Sequence, residues 1–212
     1  MTPYYIWIAS AALVWCAGIF SLRLLGLLRK GAPKDLSRPS GSAAKGVVYS
    51  CTTAMLPQHK ESAYLHLPTY AAGIAFHVGI ALNLLVFFWL LLSHFMGWYW
   101  MPPAFWSGAL AGFLLVAGVC GAGMLGKRIF NKGLRALSLP DDYISNGLVT
   151  LFLLASSVLF WGKMPVALYF ILSALLLFWL PIGKTRHLLY FFAARFHLGF
   201  FYGRRGAWPV NK

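Results

Sequence analysis

Five long apolar runs, separated by polar stretches, organise the chain. Each is close to the roughly 20 residues that a helix needs to cross a bilayer. They cover approximately Tyr4–Leu28, Leu67–Phe95, Ala104–Leu125, Tyr143–Trp161 and Met164–Ile182. Gly162, Lys163 and Pro165 predict a tight turn, which makes the last two helices antiparallel neighbours. Gly31–Gly46, rich in Gly, Pro, Ser and Lys, predicts a flexible connection, and the mixed stretch from Val47 to Leu67 an interfacial amphipathic piece. From His187 onward, Leu188, Leu189, Tyr190, Phe191, Phe192, Phe196, Phe200 and Phe201 interleave with Arg195, Arg204 and Arg205. That tail, 187–212, predicts a continuation of the fifth helix bent onto the membrane surface. There is no internal repeat, and no inverted pair of interrupted helices of the kind transporters show.

Composition turns this pattern into a fold class. Of 212 residues, 60% are hydrophobic and only 10% charged, where a soluble domain carries about a quarter charged residues. The expectation is one domain over 1–212, an all-α integral membrane bundle of five transmembrane helices. The first cation, Arg23, follows about twenty residues of apolar chain, so the opening segment reads as a retained helix rather than a cleaved leader.

Charge then orients the bundle. The net charge is +14, but the cations cluster in the gaps between apolar runs, which disfavours a nucleic-acid surface. Arg29, Lys30, Lys34, Arg38, Lys45 and Lys60 lie in one gap, and Lys127, Arg128, Lys132 and Arg135 in another. The C-terminal stretch holds Lys184, Arg186, Arg195, Arg204, Arg205 and Lys212. The opposite ends hold only Lys163. The positive-inside rule then predicts the N-terminus outside and the C-terminus cytoplasmic. Gly97-Trp98-Tyr99-Trp100 would mark the outer interface.

Candidate chemistry is sparse. Cys16, Cys51 and Cys120 form no CxxC pair, so zinc, iron–sulfur and covalent haem motifs lack their ligands. The only acids, Asp35, Glu61, Asp141 and Asp142, lie outside the predicted helices. Carboxylate-driven transport is disfavoured on that ground. Six histidines remain. His77 stands about seven residues inside the second helix, with Gly73 and Gly79 nearby as small residues that would let a flat macrocycle approach. The alternative is a histidine hydrogen-bonded to a neighbouring helix.

Two facing imidazoles can clamp a haem iron. The fifth helix runs antiparallel to the second and ends at His187, where Lys184, Arg186 and Arg195 could neutralise propionates or act as ordinary interface anchors. His66 and His77 are eleven residues apart, about 20° off one helical face; His187 and His197 are ten apart, about 80° off. Pairing His77 with His187 and His66 with His197 would give two sites roughly 15 Å apart. His66 competing with His77 for His187 is the other arrangement. His94 stands alone near the outer end of the second helix, as a quinone hydrogen-bond partner, a proton carrier or an interface residue.

These residues resemble a known family. Phe76-His77-Val78-Gly79-Ile80, Pro181-Ile182-Gly183-Lys184-Thr185-Arg186-His187, Pro57-Gln58-His59-Lys60-Glu61-Ser62 and Tyr190-Phe191-Phe192 through Gly203-Arg204-Arg205-Gly206 look like the cytochrome b membrane subunit of respiratory nitrate reductase. They are closer still to the membrane subunits that partner heterodisulfide-reductase-like iron–sulfur proteins. The resemblance implies b-type haem held between the second and fifth helices, with His77 and His187 as axial ligands of the haem iron. It implies a prokaryotic cytoplasmic membrane, and electron exchange between menaquinone or another quinone and a cytoplasmic iron–sulfur subunit, with an outer cytochrome c subunit as a further partner. A second, outer haem of that family would fall on Phe87 and Tyr169, which do not replace its histidines. One haem b is therefore expected and the second is open. The competing reading is a non-redox membrane protein, a small-solute transporter or a scaffold subunit.

Overall fold

The apolar runs do form helices. The computed structural model describes residues 3–31, 35–59, 63–98 and 103–209. Tyr99, Trp100, Lys34, Lys60, Glu61, Ser62 and Lys212, used in the sequence reading, lie outside the described residues. In chain order the α-helices are α1 (Tyr4–Arg29), α2 (Ala43–Cys51), α3 (Leu67–Phe95), α4 (Ala104–Phe130), α5 (Lys132–Ala136), α6 (Pro140–Phe160), α7 (Val166–Trp179) and α8 (His187–Arg204). Short 3-10 turns precede α3 and α8, and no strand occurs among the described residues.

Four helices, α1, α3, α4 and α6, are long and apolar enough to cross a membrane; a fifth span is completed only if α7 and α8 count as one broken span. The apolar pattern predicts an unbroken fifth helix at 164–182. α7 instead has 14 residues, about 21 Å of rise against a hydrocarbon core of about 30 Å. It stops ahead of Pro181, which has no N–H to continue the ladder. The indole of Trp179 packs on Gly183, where any side chain would collide with it. α4 runs five residues beyond its expected end, and α6 begins three earlier, because Pro140 takes the first helical turn and Asp142 Oδ2 accepts the Leu139 N–H at 2.9 Å.

The chain gathers into two compact units. The first, residues 1–19 and 71–185, contains the N-terminal part of α1, most of α3, and α4 to α7. Small residues bring α4 onto its neighbours: Ala111, Ala117, Gly118 and Gly121 are buried. A Cβ on Gly118 would stand 2.6 Å from Leu154 Cδ2. Such stripes let backbones approach where lipid supplies no hydrophobic drive between helices. Hydroxyls add cross-links: Ser157 Oγ donates to the Ala111 carbonyl at 2.8 Å, and Ser107 Oγ to that of Phe160 at 3.2 Å. The expected turn between the last two apolar runs is present. Gly162, at φ 70°, closes α6, with Gly162 N–H on the Leu159 carbonyl and Lys163 N–H on that of Val158.

The second unit, residues 20–70 and 186–212, holds the end of α1, α2, the 3-10 turns, the start of α3, and α8. Its centre is the crossing of α2 and α8. Gly46, Gly199 and Gly203 are buried there, and a Cβ on Gly203 would lie 2.7 Å from Gly46 Cα. Ser50 Oγ donates to the Arg195 carbonyl at 2.8 Å, and the Arg195 guanidinium donates back to the Ser50 carbonyl. The described part of the expected flexible connection is docked rather than loose. Ser40 N–H and Gly41 N–H both donate to the Arg204 carbonyl, at 2.9 and 3.1 Å. Asp35 pairs with Arg205 at 3.0 Å. The Arg205 guanidinium, then the Ser37 N–H and hydroxyl, hold the Asp35 carboxyl well below the usual carboxylate range.

Candidate functional site

His77 lies on the exposed side of α3. Its Nδ1 is 2.7 Å from the Gly73 carbonyl oxygen, one turn back. A carbonyl only accepts, so Nδ1 donates, and in the neutral imidazole Nε2 carries the lone pair. That bond is to the residue's own helix. Histidines that ligate metals commonly have the second ring nitrogen held in this way, which fixes tautomer and ring direction. The Phe76 ring stands edge-on to the imidazole, centroids 5.8 Å apart at 88°.

The two glycines beside His77 differ. A Cβ on Gly73 would meet nothing within 4 Å, whereas one on Gly79 would collide with the Ala117 side chain. Only Gly73 leaves its surroundings open; Gly79 serves the packing of α3 on α4. Gly121 likewise accommodates the Phe76 ring, so the residue before His77 is anchored in the core.

The remaining histidines lie on several elements. His94, part-buried near the end of α3, stands edge-on to Phe95 at 5.9 Å. His66 ends the 3-10 turn Tyr64–His66 and is exposed, His187 opens α8, and His197 lies exposed on it. His59 faces the Tyr49 ring at 6.3 Å. The expected His77–His187 pair draws one ligand from each unit, and the expected His66–His197 pair draws both from the second. Among the described residues no group of three or more His, Cys, Asp or Glu could hold a metal ion. A two-imidazole clamp is a smaller set than that.

All three expected propionate partners, Lys184, Arg186 and Arg195, are engaged within the protein. Lys184 Nζ donates to both oxygens of Asp142 at 2.7 Å, and Arg128 approaches the same carboxylate at 3.4 Å. Lys184 N–H donates to Asp141 Oδ1 at 2.9 Å. Asp141 Oδ1 also accepts from Ser145 Oγ at 2.7 Å, and Ser145 Oγ accepts the Trp179 indole N–H at 3.0 Å. This network ties the end of α7 to the start of α6. Both acids, expected outside the helices, stand in the first turn of α6. The Leu139-Pro140-Asp141-Asp142 run is a helix-start signal that would have placed both carboxylates in the first turn.

Polar groups also meet inside the bundle. Asn83, fully buried, donates from Nδ2 to Ser156 Oγ at 2.7 Å, and Ser156 Oγ donates to the Phe152 carbonyl at 2.6 Å. Asn83 Oδ1 and the Tyr169 hydroxyl are buried without a hydrogen-bond partner. Phe87 and Tyr169, the positions the resemblance matches to an outer haem, are both 0% exposed. Tyr169 stacks on Phe152 at 5.5 Å, and Phe87 tilts against Phe170 at 5.9 Å. Packed aromatic rings fill this region of α3, α6 and α7.

The fold defines a class: a multi-pass, all-helical membrane protein, with lipid-facing helices and exposed imidazoles. Protein-family models, curated proteins and solved structures yield no match to the chain.

Proposed function

We propose that this chain is the membrane cytochrome b subunit of a respiratory redox complex, holding one haem b through His77 and His187. It would exchange electrons between menaquinone or another quinone and partner iron–sulfur or cytochrome subunits. The observation that carries the reading is the His77 imidazole, fixed through Nδ1 on the Gly73 carbonyl so that Nε2 bears the ligating lone pair. The sequence motifs around His77 and His187 support the same assignment. Bound haem would supply the one-electron chemistry.

The chain's own residues then hold and orient. Gly73 aims the imidazole, and its open surroundings suit a flat ligand. Arg186, beside His187, is the cation this reading assigns to a propionate. Lys184 and Arg195 act one step back: Lys184 pins the α7–α8 break through Asp142, and Arg195 fixes α8 on α2. His94 is assigned to quinone. In this reading α7 and the turn that follows it make the fifth crossing, and α8 turns onto the inner membrane surface. The cation distribution supports an N-terminus outside and a C-terminus in the cytoplasm, and the family resemblance supports a prokaryotic cytoplasmic membrane.

Single His77→Ala and His187→Ala variants of the purified protein test the ligands. Each is expected to lose the b-type α-band of the reduced-minus-oxidised spectrum while eluting as wild type. A band that survives both substitutions would sink the assignment. Absence of any band in the wild type would favour the transporter or scaffold reading.

A further inference from the structure

The second unit carries twelve of the eighteen Lys and Arg residues against only Asp35 and Glu61. Much of that charge has structural work, as Arg205 has on Asp35 and Arg195 on Ser50. A different subset lies along one line of α8. Tyr190, His197 and Arg204 recur at seven-residue intervals, two turns each, so they drift by only about 20° per step. Arg23, from the end of α1, donates to the Tyr190 hydroxyl at 3.4 Å and brings another cation to it. Gly199 and Gly203 lie on a different face, the one covered by α2. Arg204 Nε is shielded and has no hydrogen-bond partner.

The flanks of this line are apolar and open. Phe196 is 59% exposed and Phe200 42%, their rings stacked 6.5 Å apart; on the other flank Phe191 is 40% and Leu198 37% exposed. A cationic stripe between two exposed aromatic flanks matches the boundary of an anionic leaflet, with phosphates over the stripe and acyl chains against the rings. A soluble anion would use the arginines and leave the rings uncovered. An acidic protein segment would satisfy the charge alone.

We infer that the Tyr190–His197–Arg204 face of α8, with Arg23 beside it, binds the phosphate headgroups of anionic phospholipid. Arg204 and Arg23 supply the charge, and Phe196, Phe200, Phe191 and Leu198 seat the acyl boundary. His197 sits in the middle of the stripe as a hydrogen-bond donor to a phosphate oxygen.

The full chain, purified in a neutral detergent, is titrated with phosphatidylglycerol and the bound lipid is counted by native mass spectrometry. A basic residue near an anionic surface contributes about fivefold in affinity, so Arg23→Gln/Arg204→Gln is expected to weaken binding about thirtyfold. Arg23→Lys/Arg204→Lys, which keeps the charge, is expected to hold most of it and guards against a folding defect. Arg186 is left in place, so the result is independent of the haem assignment. Equal binding of phosphatidylcholine, displacement by inorganic phosphate at equal concentration, or unchanged affinity in a folded Gln double variant would each overturn the proposal. So would binding of an acidic peptide at this face with no retention of phosphatidylglycerol.

Discussion

Adding one methyl group at Gly199 should separate α2 from α8. The new Cβ would lie 2.6 Å from Val47 Cα, 2.8 Å from the Gly46 carbonyl oxygen and 2.9 Å from Ser50 Cβ. None of these atoms is the free end of a flexible side chain, so the helices themselves must move. Relaxing the shortest contact to about 3.5 Å requires about 0.9 Å, enough to forfeit a quarter to a half of the attraction of each neighbouring contact. Overpacking of this kind costs about 1–3 kcal/mol, and alanine's better helix propensity returns about 1 kcal/mol. The same movement lengthens the 2.8 Å bond from Ser50 Oγ to the Arg195 carbonyl, worth about 1 kcal/mol. Net destabilisation of about 1–3 kcal/mol is expected, or a fall of several degrees at about 2–4 °C per kcal/mol. Gly26→Ala is the matched control, since a Cβ there meets nothing within 4 Å. Tryptophan fluorescence melts in one detergent compare the two. Gly26→Ala should therefore melt at or slightly above wild type; Gly199→Ala melting at or above wild type as well would refute the close crossing.

Two further outcomes follow from single groups. Asp35 has its pKa lowered in the folded protein, chiefly by Arg205, so its ion pair adds stability that is fully present above the ordinary carboxylate pKa of about 4. That stability is lost as pH falls through 4 and below; Asp35→Asn should flatten this part of a stability profile, and an unchanged acid limb would count against the pair. Tyr169→Phe removes a hydroxyl that is buried without a partner, and should raise stability by about 1 kcal/mol in a thermal melt, since an unpaired buried donor costs about 1–3 kcal/mol. A lower melting point would mean that the hydroxyl is bonded after all.

Membrane helices were the readable part of this sequence, because a span is a local property of composition and length. Leu67–Phe95 was placed to the residue, and Gly162 announced its turn. The break after Trp179 was harder to see: Pro181 and Gly183 sit in an apolar stretch, and the stop depends on Trp179 reaching Ser145 on another helix. Gly199 and Gly203 carry a small-xxx-small spacing, yet their partner Gly46 lies in a segment that reads as loop. Docking of that kind is tertiary and leaves no periodic trace in either strand of sequence. Lys184 shows the same limit for the site, since its nearness to His187 in sequence pointed to a ligand while its side chain is held by Asp142. His77 stood out because an ionisable side chain inside an apolar run needs a reason, although the Gly73 bond that fixes its tautomer appears only in three dimensions.

The central claim is haem ligation, and the most direct measurement is the haem content of the intact purified chain, read together with its reduced-minus-oxidised spectrum. One b-type haem per chain is expected, with a low-spin spectrum of two imidazole ligands. A folded chain, expressed with ample haem supply, that carries none would contradict it.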